Sequence, residues 1–166
     1  MAAAHGAVDA TNGKTLPHGP SGYILSYGVS YSAMPTEGKR LDEVAACPPS
    51  AVATHAAFVS KCGFSPTFSP TLDGDVTRSR MLADVCRAAT TMASHDVVAF
   101  FFSGHGESID GTSCIIDSAD CVLSVRKLQA VFAETVVKRG LRDVAFIVIL
   151  DCCQTLSYDG MLLPLD

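Results

Sequence analysis

Two stretches of the chain are apolar at nearly every position: Val97-Val-Ala-Phe-Phe-Phe102 and Val144-Ala-Phe-Ile-Val-Ile-Leu150. Unbroken hydrophobicity at strand length predicts strands covered on both faces, as in the middle of a parallel sheet. Tyr23 to Val29 is apolar and aromatic and is followed by a polar, turn-prone stretch, which predicts a first strand. Phe64 to Phe68 predicts a weaker strand, confined by Pro66 to an edge or an end. Between these runs the apolar spacing becomes helical. A helix is expected from Ser50, just after Pro48-Pro49, to Cys62, with Gly63 closing it. Asp75 or Thr77 can cap a second, with Met81, Val85, Ala88 and Met92 on one face. Ser124 can cap a third, with Val125, Leu128, Phe132 and Val136 on one face and Gly140 at its end. The polar stretch between Glu107 and Asp120 has room for a short hairpin around Ser113 to Ile116.

Strands alternating with helices predict an α/β fold, a mostly parallel sheet flanked by helices on both faces. In such sheets chemistry gathers at the carboxyl ends of the strands. Both fully apolar runs end in chemically able residues. Val97–Phe102 leads into Ser103-Gly-His-Gly106, and Val144–Leu150 into Asp151-Cys-Cys153.

Composition narrows the function. With 166 residues, 48% of them hydrophobic and 17% charged, the chain is long enough for one cored domain. A net charge of -5 without a basic stripe argues against nucleic acid or an anionic membrane as partner. Residues 1–21, rich in Ala, Gly, His and Pro, lack the apolar core of a signal peptide and read as a disordered tail, leaving 22–166 as the domain. No apolar run is long enough to span a bilayer. Seven cysteines, an odd number without regular spacing, point to a reduced, cytoplasmic protein rather than a disulfide scaffold. No pattern of zinc-ligand spacing occurs, so neither a metal nor another cofactor is expected.

Neighbouring strands lie about 4.8 Å apart. If the two apolar strands are adjacent, His105 and Cys153 overlook one crevice, the layout of a thiol nucleophile and its base. A free thiol, with a pKa of about 8.5, is mostly protonated at neutral pH, so an imidazole is needed to ionise it or to protonate the leaving amine. Gly106 allows a backbone N–H to approach a substrate carbonyl oxygen.

The segment Val98-Ala-Phe-Phe-Phe-Ser-Gly-His-Gly106, followed by Ile149-Leu-Asp-Cys-Cys153, resembles the caspase-like cysteine peptidases, especially their paracaspase and metacaspase branches. The likeness covers about residues 22–160. It implies a caspase-like α/β/α sandwich, with His105 as the catalytic histidine and Cys153, rather than Cys152, as the nucleophile. It also implies Gly106 as the oxyanion glycine, and Asp151 and Ser103 as residues lining the pocket for the side chain before the scissile bond. The activity implied is a cysteine endopeptidase acting on protein or peptide substrates, with cleavage after Arg or Lys.

Relatives with that basic preference carry a second acid early in the first helix, where this chain has Ser50 and Ala51. A single carboxylate attracts a substrate cation less strongly. Asp110, Asp117, Asp120 and Asp159 are too scattered to suggest a calcium site. Only thirteen residues follow Cys153. The sheet is therefore expected to be incomplete at its carboxyl-terminal side, with a second chain or a second copy to finish it. The alternative is a catalytically inactive caspase-like interaction module. His5, His18, His55 and His95 read as surface or helix residues, and Cys47, Cys62, Cys86, Cys114 and Cys121 as packing residues.

Overall fold

The computed structural model describes residues 21–33, 41–152 and 154–156, for the last three of which only the backbone is described. Cys153, Asp159 and residues 1–20 lie outside the described residues, and with them His5, His18 and almost all of the expected tail.

Four parallel strands form the main sheet: β1 (Gly22–Gly28), β2 (Thr71–Leu72), β3 (Val97–Ser103) and β7 (Ala145–Asp151), in the order β2-β1-β3-β7. The strands between β3 and β7 build a second, smaller sheet. These are β4 (Gly106–Ile109), β5 (Thr112–Ile116) and β6 (Val122–Ser124), joined by β8 (Gln154–Leu156) in the order β6-β5-β4-β8. The expected hairpin is the antiparallel pair β4–β5, turning through Asp110 and Gly111, both at positive φ.

Alternation along the strands sorts the core into two layers. On one face Ile24, Ala99 and Phe101 meet Ala51 of α1 (Cys47–Cys62). On the other, Leu25, Tyr27, Val98, Phe100 and Phe102 pack under α2 (Arg78–Thr91) and α3 (Val125–Arg139), with Met81, Val85, Ala88, Leu128 and Phe132 facing them. Phe146 of β7 stacks on Phe132 of α3 at 4.6 Å between ring centroids. Among the described residues β7 pairs only with β3, and Ile147, on the α1 side, is 45% exposed.

The helix caps follow the sequence closely. Thr77 accepts a hydrogen bond from the Arg80 amide, Ser124 from that of Lys127, and Gly63 and Gly140 end their helices in the left-handed conformation. Asp75 does not cap α2; it ends a single 3-10 turn at Asp73–Asp75. Helix α1 begins at Cys47, ahead of Ser50, because Pro48 and Pro49 fall in its first turn, where the missing N–H groups have no partner to lose.

The strand expected at Phe64 to Phe68 does not form. Ser65 alone makes an isolated bridge to Tyr23, and the edge strand forms later, at Thr71–Leu72. The two phenylalanines cover the sheet instead. Phe64 packs edge-on against Phe58, and Phe68 against Tyr23. The cysteine reading is corrected in part: Cys114 is buried, but Cys62, Cys86 and Cys121 are exposed.

Candidate functional site

Strand register aligns the carboxyl ends of the main sheet. Leu72 pairs with Gly28, Gly28 with Ser103, and Ser103 with Asp151, so four strands end on one row. The polar ends of the apolar runs are therefore neighbours. Ser103 is 1% exposed and donates its hydroxyl to Asp151 Oδ2 at 2.8 Å. Ser50 of α1 donates to the same oxygen at 3.1 Å.

The reach of Ser50 depends on Gly28. A Cβ on Gly28 would lie 2.6 Å from the Cys47 carbonyl oxygen and 2.7 Å from Pro48 Cα, closer than real Cβ atoms come. The missing side chain lets the first turn of α1 settle against the end of β1. Ser50 thus brings to Asp151 a hydroxyl and no second charge.

His105 sits in the short link between β3 and β4, and four contacts fix it, three of them to Tyr31 and Ile116. Its amide donates to the Tyr31 hydroxyl at 2.9 Å. Its carbonyl accepts from the Ile116 amide at 3.0 Å. Its ring lies 4.7 Å from the Tyr31 ring, centroid to centroid. Tyr31 is 3% exposed, adopts φ of 60°, and donates its own hydroxyl to the Ile116 carbonyl. One phenol therefore ties the His105 segment to β5. Burial pushes its ionisation well above the normal tyrosine range, so it stays a neutral donor and acceptor.

The imidazole Nε2 of His105 is 2.7 Å from the Asp42 carbonyl oxygen. A carbonyl only accepts, so Nε2 carries the hydrogen and Nδ1 of the neutral ring is left as the basic nitrogen. The Asp42 loop is itself moored: the Val44 amide donates to the Ser30 carbonyl, and Ser30 donates its amide and its hydroxyl to Asp73 Oδ1 at 2.9 and 2.6 Å.

Of the residues singled out from sequence, His105, Gly106, Ser103 and Asp151 fall around the ends of β3, β4 and β7, while Cys153 lies outside the described residues. The backbone on either side of Cys153 is described. Ser103 pairs with Asp151, and, after two intervening residues in each segment, Gly106 pairs with Gln154. Cys152 is half-buried against the larger core layer.

Among the described residues no group of three or more His, Cys, Asp or Glu side chains is placed to hold a metal ion. Asp117 is 2% exposed and spends its carboxylate on the start of α2 and the loop after β5, accepting from the amides of Arg78, Ala119 and Cys121. No helix among the described residues is long and apolar enough to cross a membrane.

Tyr31 and Asp42 escaped the sequence reading. Both act on His105 through backbone groups or across a long sequence separation, and neither kind of contact leaves a pattern along the chain.

Comparison with known proteins agrees with this fold. No curated protein matches the chain in sequence. The crystal structure of protein GSU0716 from Geobacter sulfurreducens superposes with a TM-score of 0.63 at 22% identity, over 81% of this chain and 51% of that one, which shows a shared fold. This chain thus spans about half the length of that neighbour. The family model of the caspase domain matches residues 51–166, from the first turns of α1 through both candidate strand ends, and the chain belongs to the caspase domain family.

Proposed function

We propose that the chain is a cysteine-type endopeptidase in which His105 and Cys153 form the catalytic dyad. The observation that carries this reading is the paired change of sheet. Beyond Ser103 and Asp151 the two segments leave the main sheet together, and at Gly106 and Gln154 they are side by side again in the smaller one. His105 and Cys153 are each the second residue past their strand end. That equivalence in parallel segments is what a short-range proton transfer between them requires.

In this mechanism His105 Nδ1 takes the proton of the Cys153 thiol, its Nε2–H held by the Asp42 carbonyl. The thiolate attacks the carbonyl carbon of the scissile peptide, and the resulting oxyanion is met by a backbone N–H at Gly106. The imidazolium then protonates the leaving amine as the C–N bond breaks, leaving a thioester on Cys153. Water, deprotonated by the same imidazole, hydrolyses the thioester and regenerates the thiol.

Asp151 is the charged group we assign to the residue before the scissile bond, which favours a substrate Arg or Lys. Its Oδ2 is held by Ser50 and Ser103, while Oδ1 has no hydrogen bond from either serine. Among the described residues the outer edge of β7 has no partner strand, and Ile147 beside it is exposed; this edge is where a second chain or copy would complete the sheet.

The decisive experiment treats the chain with a peptidyl acyloxymethyl ketone bearing Lys or Arg at its reactive end and maps the adduct. Labelling of Cys153 that is abolished by His105→Ala is the expected result. Labelling of other cysteines, unaffected by His105→Ala, would overturn the proposal and favour an inactive interaction module.

A further inference from the structure

A second polar cleft opens at the opposite edge of the main sheet. Arg80, Asp84 and Arg87 stand at i, i+4 and i+7 of α2, along one stripe of the helix. Asp84 is 5% exposed and is the hub. It accepts from the Tyr27 hydroxyl at 3.2 Å, Arg80 Nε at 2.9 Å and Arg87 Nη2 at 2.8 Å. Arg87 is also fixed over Phe68, its Cζ 4.8 Å from the ring centroid.

One buried carboxylate thus holds two guanidiniums in place, and with Asp75 also acting on Arg80 the charges balance, so what the cleft offers an anion is oriented N–H donors rather than surplus charge. Each guanidinium has five N–H donors and spends one on Asp84. The two side chains are 49% and 57% exposed, and they line a cavity of about 460 Å³ together with Thr67, Ser69, Thr71 and Asp75. The cavity therefore offers two fixed cationic forks, three hydroxyl-bearing residues and one carboxylate. Leu72, on its wall, ends the same row of strands as Asp151 but three strands away, about 14 Å at the usual strand spacing. It is a separate site.

We propose that this cavity binds the phosphate of a phosphorylated serine or threonine carried on a peptide. Paired guanidiniums whose forks are already oriented suit the several oxygens of a phosphate, and their preorganisation lowers the entropic cost of each hydrogen bond. Asp75 disfavours a bare anion and suits one flanked by donors, as a phosphorylated residue is by its main-chain amides. Strand β2 pairs only with β1 among the described residues, so its outer edge is available to an extended peptide.

The test follows the Arg Nε–H signals of the full chain by NMR at low salt during titration with N-acetyl-phosphoserine amide, N-acetyl-serine amide and inorganic phosphate. The phosphoserine amide is expected to shift the Arg80 and Arg87 signals saturably and the serine amide to shift neither. Arg87→Gln leaves Asp84 its contacts to Tyr27 and Arg80, so the fold is kept, and it should weaken phosphoserine binding by about tenfold. Arg80→Gln serves as the second variant, with the backbone amide spectrum reporting the fold of each. Absence of a saturable shift, or an affinity in both variants equal to that of the parent chain, overturns the proposal. Inorganic phosphate binding as tightly as the phosphoserine amide overturns the peptide assignment and marks a site for free phosphate.

Discussion

Tyr31 and His105 are joined twice, by a 2.9 Å hydrogen bond from the His105 amide to the phenol oxygen and by rings 4.7 Å apart. The phenol also reaches the Ile116 carbonyl, so a residue 74 positions away in sequence holds the candidate base against the smaller sheet. Tyr31→Phe keeps the ring and removes both hydrogen bonds. It leaves an amide and a carbonyl without their partner in a buried setting, which should lower unfolding stability by about 2 kcal/mol. Urea denaturation measures this loss. If His105 is the base, the rate of Cys153 alkylation falls as well, beyond what the small unfolded fraction accounts for.

The Asp42 contact to His105 comes from the main chain, so it should survive loss of the side chain. In Asp42→Ala the imidazole is expected to keep its hydrogen on Nε2, as read from the ¹⁵N shifts of the ring at a pH where it is neutral. A switch to the Nδ1–H tautomer in this variant would show that the carboxylate, not the carbonyl, sets the proton.

How much of this was legible in the sequence follows the range of each interaction. Phe100, Phe102 and Val148 sit in unbroken apolar runs, and continuous hydrophobicity is the direct signature of a strand covered on both faces. That signature located β3 and β7, hence His105 and Asp151 at their ends, and it holds in full for β3. For β7 it overstated the cover, because among the described residues β7 pairs only with β3 and Ile147 is 45% exposed. Thr77, Ser124 and Gly140 were legible because a cap acts within a few residues. Phe64 and Phe68 misled because aromatic residues suit strands and sheet lids equally. The contacts of Ser50 to Asp151 and of Asp42 to His105 span 101 and 63 residues, and no local period encodes them.

His55 on α1 is half-buried, and its Nδ1 has no hydrogen-bond partner among the described residues. Burial holds its pKa below the usual 6.5. The unfolded chain therefore binds a proton that the folded chain resists, so stability is complete above pH 6.5 and declines as the pH falls from there toward the lowered folded value. His55→Gln removes the titration. The expected result is a flatter stability profile below pH 6.5 than in the parent chain, measured by thermal unfolding across a pH series.

Gly28 ties the fold to the candidate pocket. Its amide-to-carbonyl frame ends β1 on the same row as Ser103 and Asp151, and its bare Cα receives the first turn of α1. A methyl group there meets backbone atoms of Cys47 and Pro48, which cannot rotate away as a side-chain tip can. Gly28→Ala must push the helix start outward, at a cost of about 1–3 kcal/mol by analogy with overpacked cores. The movement carries Ser50 away from Asp151 Oδ2, opening a hydrogen bond that is 3.1 Å in the parent chain, while the bond from Ser103, which comes from β3, stays. Two measurements separate the effects. Denaturation gives the stability loss, and a crystal structure of the variant gives the Ser50–Asp151 separation. Ser50→Ala removes the same exposed hydrogen bond without moving the helix and should cost under about 1 kcal/mol. A Gly28→Ala variant no less stable than Ser50→Ala would mean that the close approach of α1 to β1 imposes no constraint.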